Sequence, residues 1–275
     1  MSQSSPVISS RTNERVKRIA RLLDRASRDG TGLCWAESRS CAHAALSSSW
    51  HVDELALSTD ARGDMAPLVD AARRRGCPVV MYDAACFSKF TALRHPDGVG
   101  AVVALPEPAL LPKAVTERAV VLWQLQDPGN TGSIIRSASA LGCRTIVSVG
   151  PCVDAFHPLC IRATAGQIFS VTICVCSEAE ARAWLDRCAA HAAVLTADGS
   201  LPLEDCPAGR VRVLVVGGEA RGVPAKVRSQ LVSLAIPMAP GVESLNVNAA
   251  AAIALYELWG APPRPVSPAP AQRKR

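Results

Sequence analysis

The chain has 275 residues, 49% of them apolar, which is enough for one large domain or two ordinary ones and for a buried core. No segment reaches about 18 uncharged apolar residues, and the N-terminus has no apolar h-region, so neither a membrane helix nor a secretory signal is expected. Net charge is +6, but residues 111–260 carry 12 Lys/Arg against 12 Asp/Glu, so any nucleic-acid footprint there has to be local.

Residues 12–28 read as an amphipathic helix with Val16, Ile19, Leu22, Leu23 and Ala26 on one face. Arg11, Arg15, Lys17, Arg18, Arg21, Arg25 and Arg28 crowd the rest, opposed by Glu14 and Asp24. Such a charge run is either a solvated face or a phosphate-contacting surface, with Arg15, Arg18, Arg21 and Arg25 as the candidate RNA contacts. Strand-like runs at Leu33–Ala36, Glu54–Leu57, Pro78–Tyr82 and Val99–Leu105 then alternate with helical patterns near 39–48, 65–75 and 84–93. This predicts a small α/β unit over residues 1–105. Residues 106–113 follow as a stiff linker, since 105–112 hold three prolines.

A second unit, residues 114–260, opens on the continuous apolar strand Ala119–Gln124. Similar runs occur at Thr145–Val149, Val171–Val175, Ala193–Thr196 and Val211–Val216, as in strands buried on both faces of a parallel sheet. Helical patterns sit at 131–141, 161–167 and 178–190, and an alanine-rich helix over Val247–Leu258 is apolar on nearly every face, so it is expected to be buried. Residues 261–275 hold five prolines and four basic residues and are expected to be a disordered tail. The eleven cysteines are odd in number and form no Cys-x-x-Cys pair. They read as free thiols in a reducing, cytoplasmic setting, with no metal site.

Three polar loops follow apolar runs. In Asp127-Pro-Gly-Asn-Thr-Gly-Ser-Ile-Ile-Arg136, Pro128-Gly129 marks a turn, Asn130 or Thr131 can cap the next helix, and Arg136 falls in its second turn. In Val216-Gly-Gly-Glu-Ala-Arg-Gly222, Gly217 and Gly218 allow close backbone approach, and no Gly-Lys-Ser/Thr seeks a phosphate. In the third, Ile236-Pro-Met238 supplies an apolar wall beside Ser244-Leu245-Asn246, where Ser244 or Asn246 can cap the long helix. In α/β sheets, ligands bind beyond the carboxyl ends of the strands, where these loops fall.

The order and wording of these loops resemble the three motifs of the SpoU/TrmH branch of the knotted RNA methyltransferases. The segment His157–Phe169 resembles the stretch that lies between the first two motifs. The resemblance covers roughly residues 119–259. It implies an α/β-knot with a mostly parallel sheet, the deep trefoil knot lying in the C-terminal unit. The N-terminal unit is similar in plan to the family's ribosomal-protein-like substrate-binding domain, with Glu37-Ser38 where that domain has Glu-Gly. The resemblance further implies S-adenosylmethionine as methyl donor, a ribose 2′-hydroxyl of tRNA or rRNA as acceptor, and a homodimer. Carried over residue by residue, Arg136, Asn130, Glu219, Ser244 and Asn246 match the catalytic positions. Gly217, Gly218, Ile236, Met238, Ser244 and Leu245 match the cofactor pocket. A non-catalytic RNA-binding protein with the same fold, a related base methyltransferase and a generic nucleotide-binding enzyme are the competing readings.

Overall fold

The computed structural model describes residues 7–114, 116–207, 209–218 and 222–260. Two helices, α1 (Glu14–Arg21) and α2 (Arg25–Thr31), replace the single helix expected over 12–28. Asp24 takes an extended conformation (φ −92°, ψ 139°), and its carboxylate accepts the Ser27 amide, so it caps a second helix instead of continuing the first. Val16, Ile19 and Leu22 are buried as their spacing predicts. Beyond the break the apolar face is lost: Ala26 is exposed and Arg28 is buried in its place.

The next elements are β1 (Leu33–Glu37), α3 (Arg39–Ser47), β2 (Val52–Ser58), α4 (Ala66–Arg74), β3 (Val79–Tyr82), α5 (Ala84–Phe87) and β4 (Val99–Ala104). They form a mixed sheet of order β1-β4-β2-β3, in which only β2 and β3 run parallel. Trp35, Tyr82, Phe87 and Phe90 pack with α1 as one buried cluster. Helix α5 stops at Phe87 instead of running to 93. Phe90 is drawn edge-on to Trp35, and the buried Glu37 carboxylate accepts the Thr91 hydroxyl and, at 3.0 Å, the Ala92 amide. These contacts pull the segment off a helical path.

Ser38 explains what the missing glycine costs. It sits at φ 116°, ψ 158°, a region that only glycine adopts freely, while its hydroxyl caps α3 on the Cys41 amide. That backbone conformation costs about 1–3 kcal/mol, whereas trading serine for glycine at a cap costs a few tenths. Glycine also adds unfolded-state entropy of about 0.4–1 kcal/mol. The backbone strain outweighs both losses. Ser38→Gly is therefore expected to stabilise the protein by about 1 kcal/mol, and Ser38→Ala, which keeps the strain and drops the cap, to destabilise it. Urea melts of both variants check this, and a less stable glycine variant would mean that the cap outweighs the strain.

Past the prolines the chain builds β5 (Ala119–Trp123), α6 (Pro128–Ala140), β6 (Thr145–Val149), α7 (Pro158–Ala163), β7 (Thr172–Cys176), α8 (Glu178–Cys188), β8 (Ala192–Leu195), β9 (Leu201–Pro202), β10 (Val213–Gly217), α9 (Ala225–Arg228), β11 (Val232–Ala235) and α10 (Val247–Trp259). The strands form a seven-stranded sheet of order β7-β6-β5-β10-β8-β11-β9, and every pairing in it is parallel. Helices α6 and α10 pack together over one face, and Trp184 and Leu185 of α8 belong to the core on the other. Strands β9 and β11 are too short to carry a periodicity of their own. The proline segment lies along the sheet edge: Ala109 bridges to Cys174, and the Trp184 indole donates to Pro112 O at 2.8 Å.

The helix expected over 161–167 starts earlier, because His157 caps it and Pro158 opens it. It ends where Ala165 (φ 50°) and Gly166 (φ 88°) turn the chain into a short 3-10 helix, Gln167–Ser170. Nor is α10 buried all round: Ala251, Ala254, Leu255 and Leu258 face the core, while Ile253 and Tyr256 are 45% and 60% exposed.

The two sheets share one continuous core. Cys34, Ala36 and Leu46 belong to the same cluster as Ile161, Ile168 and Phe169, and Trp50 packs edge-on against Phe156 and Phe169. Arg28 is 1% exposed and donates to Asp154 Oδ2 (2.6 and 3.0 Å), Leu22 O (2.9 Å) and Leu23 O (3.1 Å), so it ties the N-terminal helices to the loop after β6. The cysteines are free thiols and eight are buried; burial pushes Cys34 up to about 12.

Candidate functional site

The three loops meet at the carboxyl ends of β5, β10 and β11, beside the end of β8. In the first loop Asp127 is the cap of α6, not Asn130 or Thr131. Its carboxylate accepts the Asn130 amide at 2.6 Å, and Pro128 takes the first helical position, where no N–H is needed. This leaves the Asn130 side chain to meet the third loop. Asn130 Oδ1 accepts Nδ2 of Asn246 at 3.3 Å and Nδ2 of Asn248 at 3.1 Å. Asn246 also caps α10, its Oδ1 accepting the Asn248 amide at 3.0 Å. Three asparagines from loops far apart in sequence thus form one cluster.

Beside the cluster lies a cavity of about 330 Å³. All six residues expected to hold a cofactor line it: Gly217, Gly218, Ile236, Met238, Ser244 and Leu245. Gly218 is required by close approach, since a Cβ there would sit 2.5 Å from Gln124 O. Any side chain at this position would meet that backbone oxygen. Glu219 lies outside the described residues.

Asn248, the last residue of the third motif, joins the site, and reasoning from sequence missed Asp198 and Arg228. Asp198 and Arg228 line the cavity and pair at 2.6 Å, and the guanidinium bonded to it holds the Asp198 carboxyl below its usual range. The Asp198-Gly199 turn after β8 was the available signal for the first. Nothing in the sequence marks Arg228.

Arg136 stands apart. Because α6 begins at Pro128, it falls in the third turn, not the second. Six residues beyond Asn130 it is about 9 Å further along the axis and turned about 120° away. It is exposed and does not line the cavity of its own chain. The N-terminal arginines are also partly engaged. Arg15 and Arg18 bond Oε2 of the buried Glu54 at 2.8 and 3.0 Å, and Arg18 also pairs with Asp53 at 2.7 Å. Arg25 pairs with Asp29 at 3.5 Å, and Arg21 is exposed.

A cleft with an apolar wall, glycine backbone and one Asp198–Arg228 ion pair, at the carboxyl edge of a parallel sheet, suits a nucleoside-like cofactor. The chain belongs to the SpoU rRNA methylase family, which matches residues 117–256, and an MRM3-like substrate binding domain matches residues 13–101. A 23S rRNA (guanosine(2553)-2′-O)-methyltransferase of Bacillus subtilis is 27% identical over 92% of this chain and 99% of its own length. The AdoMet-bound rRNA methyltransferase of Sinorhizobium meliloti superposes with a TM-score of 0.80 at 27% identity, over 92% of this chain and 97% of that one. The SpoU methyltransferase AviRb from Streptomyces viridochromogenes, in complex with AdoMet, does so at 0.77 and 26%, over 90% and 97%.

Proposed function

We propose that the chain is an S-adenosylmethionine-dependent methyltransferase acting on a ribose 2′-hydroxyl of ribosomal or transfer RNA. The observation that carries this is the asparagine cluster set against the cavity that gathers all six expected cofactor residues. The lining suits that cofactor: Ile236, Met238 and Leu245 give an apolar wall, and glycine backbone and Ser244 give neutral hydrogen-bonding groups. When bound, it supplies a methyl group already activated on a sulfonium. The protein's part is then alignment, which can contribute up to about 7–11 kcal/mol. Ser244, Asn246 and Asn130 orient the acceptor ribose and the cofactor beside it. Arg136 binds the neighbouring phosphate and stabilises charge developing on the attacking oxygen. A guanidinium offers donors and no acceptor, so its part is electrostatic and it is not the proton acceptor.

The rest of the reading follows the family. Residues 1–105 serve as the RNA substrate-binding domain, 106–113 as the linker and 114–260 as the knotted methyltransferase domain, in a cytoplasmic homodimer. The exposed Ile253 and Tyr256, on a helix packed against α6, support an interface there. Arg136 on α6 would then reach the partner's cavity. Among the described residues no helix is long and apolar enough to cross a membrane.

Calorimetry with S-adenosylmethionine and its demethylated product, with and without chelator, tests the pocket. Binding is expected in both cases and unchanged by the chelator. Mapping of 2′-O-methyl groups in RNA from a deletion strain tests the reaction, one ribosomal or transfer RNA position losing its mark. No binding at millimolar cofactor, or an unchanged methylation map, would count against the reading.

A further inference from the structure

The opposite, amino edge of the seven-stranded sheet carries a row of basic side chains that the cofactor site does not use. Each of four adjacent strands is preceded immediately by a basic residue: Arg144 before β6, Arg118 before β5, Arg212 before β10 and His191 before β8. The first residues of these strands are register partners, Thr145 with Ala119, Ala119 with Val213, and Val213 with Ala192. The ladder continues through the basic residues themselves. The Ala119 amide donates to Arg212 O at 2.8 Å, Arg212 N to His191 O at 2.8 Å, and Arg144 N to Arg118 O at 3.4 Å. Three strand spacings make the row about 14 Å wide, too wide for a single phosphate group.

Register partners in a parallel sheet share a face, and Arg118 shows which one. Its guanidinium donates to Leu141 O at 2.7 Å and Trp259 O at 2.8 Å, at the carboxyl ends of α6 and α10, and lies 5.4 Å from the Trp259 ring centroid. Arg118 is thus occupied in capping two helices. Arg144 and Arg212 are exposed and line, with Arg118 and the single acid Glu117, an open cavity of about 460 Å³. Arg212 also donates to Thr116 O at 3.2 Å, and exposed Arg210 stands beside it in the chain.

Resting on the methyltransferase reading, we propose that this amino edge is a second RNA-contact surface, which takes the sugar-phosphate backbone of the substrate away from the methylated ribose. Two observations drive it. The domain's charges cancel in number, so this local excess of base comes from their placement. In addition, Arg15 and Arg18 of the N-terminal helix are paired to Asp53 and Glu54, which weakens the other candidate grip. Phosphate contacts position a polyanion without reading its bases. The surface therefore acts on affinity and leaves the chemical step alone.

The test uses the full chain with Arg144→Gln and Arg212→Gln combined, and Arg144→Lys with Arg212→Lys as the control that keeps charge. Binding of poly(U) and of ribosomal RNA is measured against salt. The glutamine pair is expected to flatten the slope of log K against log salt by about 0.7 per lost single-strand contact, up to about 1.4. KM for RNA should rise, with kcat at saturating RNA and cofactor affinity unchanged, and the lysine pair should behave like wild type. An unchanged slope in the glutamine pair overturns the proposal. So does a fall in kcat without a change in KM, or inorganic phosphate binding at this edge that leaves RNA affinity untouched. A wild-type protein that binds RNA but transfers no methyl group sinks the enzymatic reading and leaves this surface standing. One that methylates RNA while the glutamine pair matches it does the reverse.

Discussion

Replacing Arg28 by methionine is expected to cost about 3–5 kcal/mol of stability, the usual loss when one partner of a buried ion pair is removed. The guanidinium is 1% exposed and its partner Asp154 is 15% exposed in its side chain, so solvent screens the pair little. Its removal leaves a nearly buried carboxylate and the Leu22 and Leu23 carbonyls without these donors. The double change Arg28→Met with Asp154→Leu should recover much of the loss, because neither charge is then stranded. Denaturant melts of the two singles and the double close the cycle. A single-variant loss under about 1 kcal/mol would mean that water reaches the pair and that the shared apolar core alone holds the sheets together. The pair's place adds a functional consequence, since it fixes the helices before β1 against the loop leading to α7. Partial activity in Arg28→Met should therefore show a raised KM for RNA with cofactor affinity intact.

Arg136→Ala should lose about 10²–10³ in single-turnover methyl transfer, as when a donor to a developing oxyanion is removed. The residue is exposed on a helix and alanine is a good helix former, so stability should shift by no more than about 0.5 kcal/mol. Lysine should restore only part of the rate, since it keeps the charge but not the planar fork. Position along α6 makes a further demand. In the proposed dimer, a side chain turned away from its own cavity serves the second copy. Mixing Arg136→Ala with Gly218→Leu, whose Cβ would strike Gln124 O, should then return activity that neither variant has alone. On that reading each mixed dimer holds one complete site. If Arg136→Ala stays within about threefold of wild type, well under the roughly 1.4 kcal/mol of a tenfold loss, the arginine is a surface residue. If the rate falls but mixing restores nothing, it acts within its own chain.

The alternation of elements, the parallel character of the second sheet and six residues that line the cavity could be read from the chain before any contact was known. Continuous apolar runs such as Ala119–Trp123 leave no solvent face, so they demand a sheet covered on both sides. Gly217, Gly218, Ile236, Met238, Ser244 and Leu245 were legible because their loops resemble the family's motifs and fall at strand ends, where a parallel sheet binds ligands. Hidden from sequence were the choices made between chemically equivalent groups. Asp127, Asn130 and Thr131 are all competent caps; only packing decided that Asp127 caps α6 and that Asn130 meets Asn246 and Asn248. Arg15, Arg18 and Arg28 look like Arg21 in a helical projection. Tertiary structure separates them, because Glu54 and Asp154 lie 39 and 126 residues from Arg15 and Arg28. The amino-edge row was invisible for the same reason. Arg118, Arg144, His191 and Arg212 are scattered along the chain, and only strand register sets them side by side. Local periodicity reports which face of an element is apolar. Which polar group finds which partner is decided where distant segments are brought within hydrogen-bonding reach.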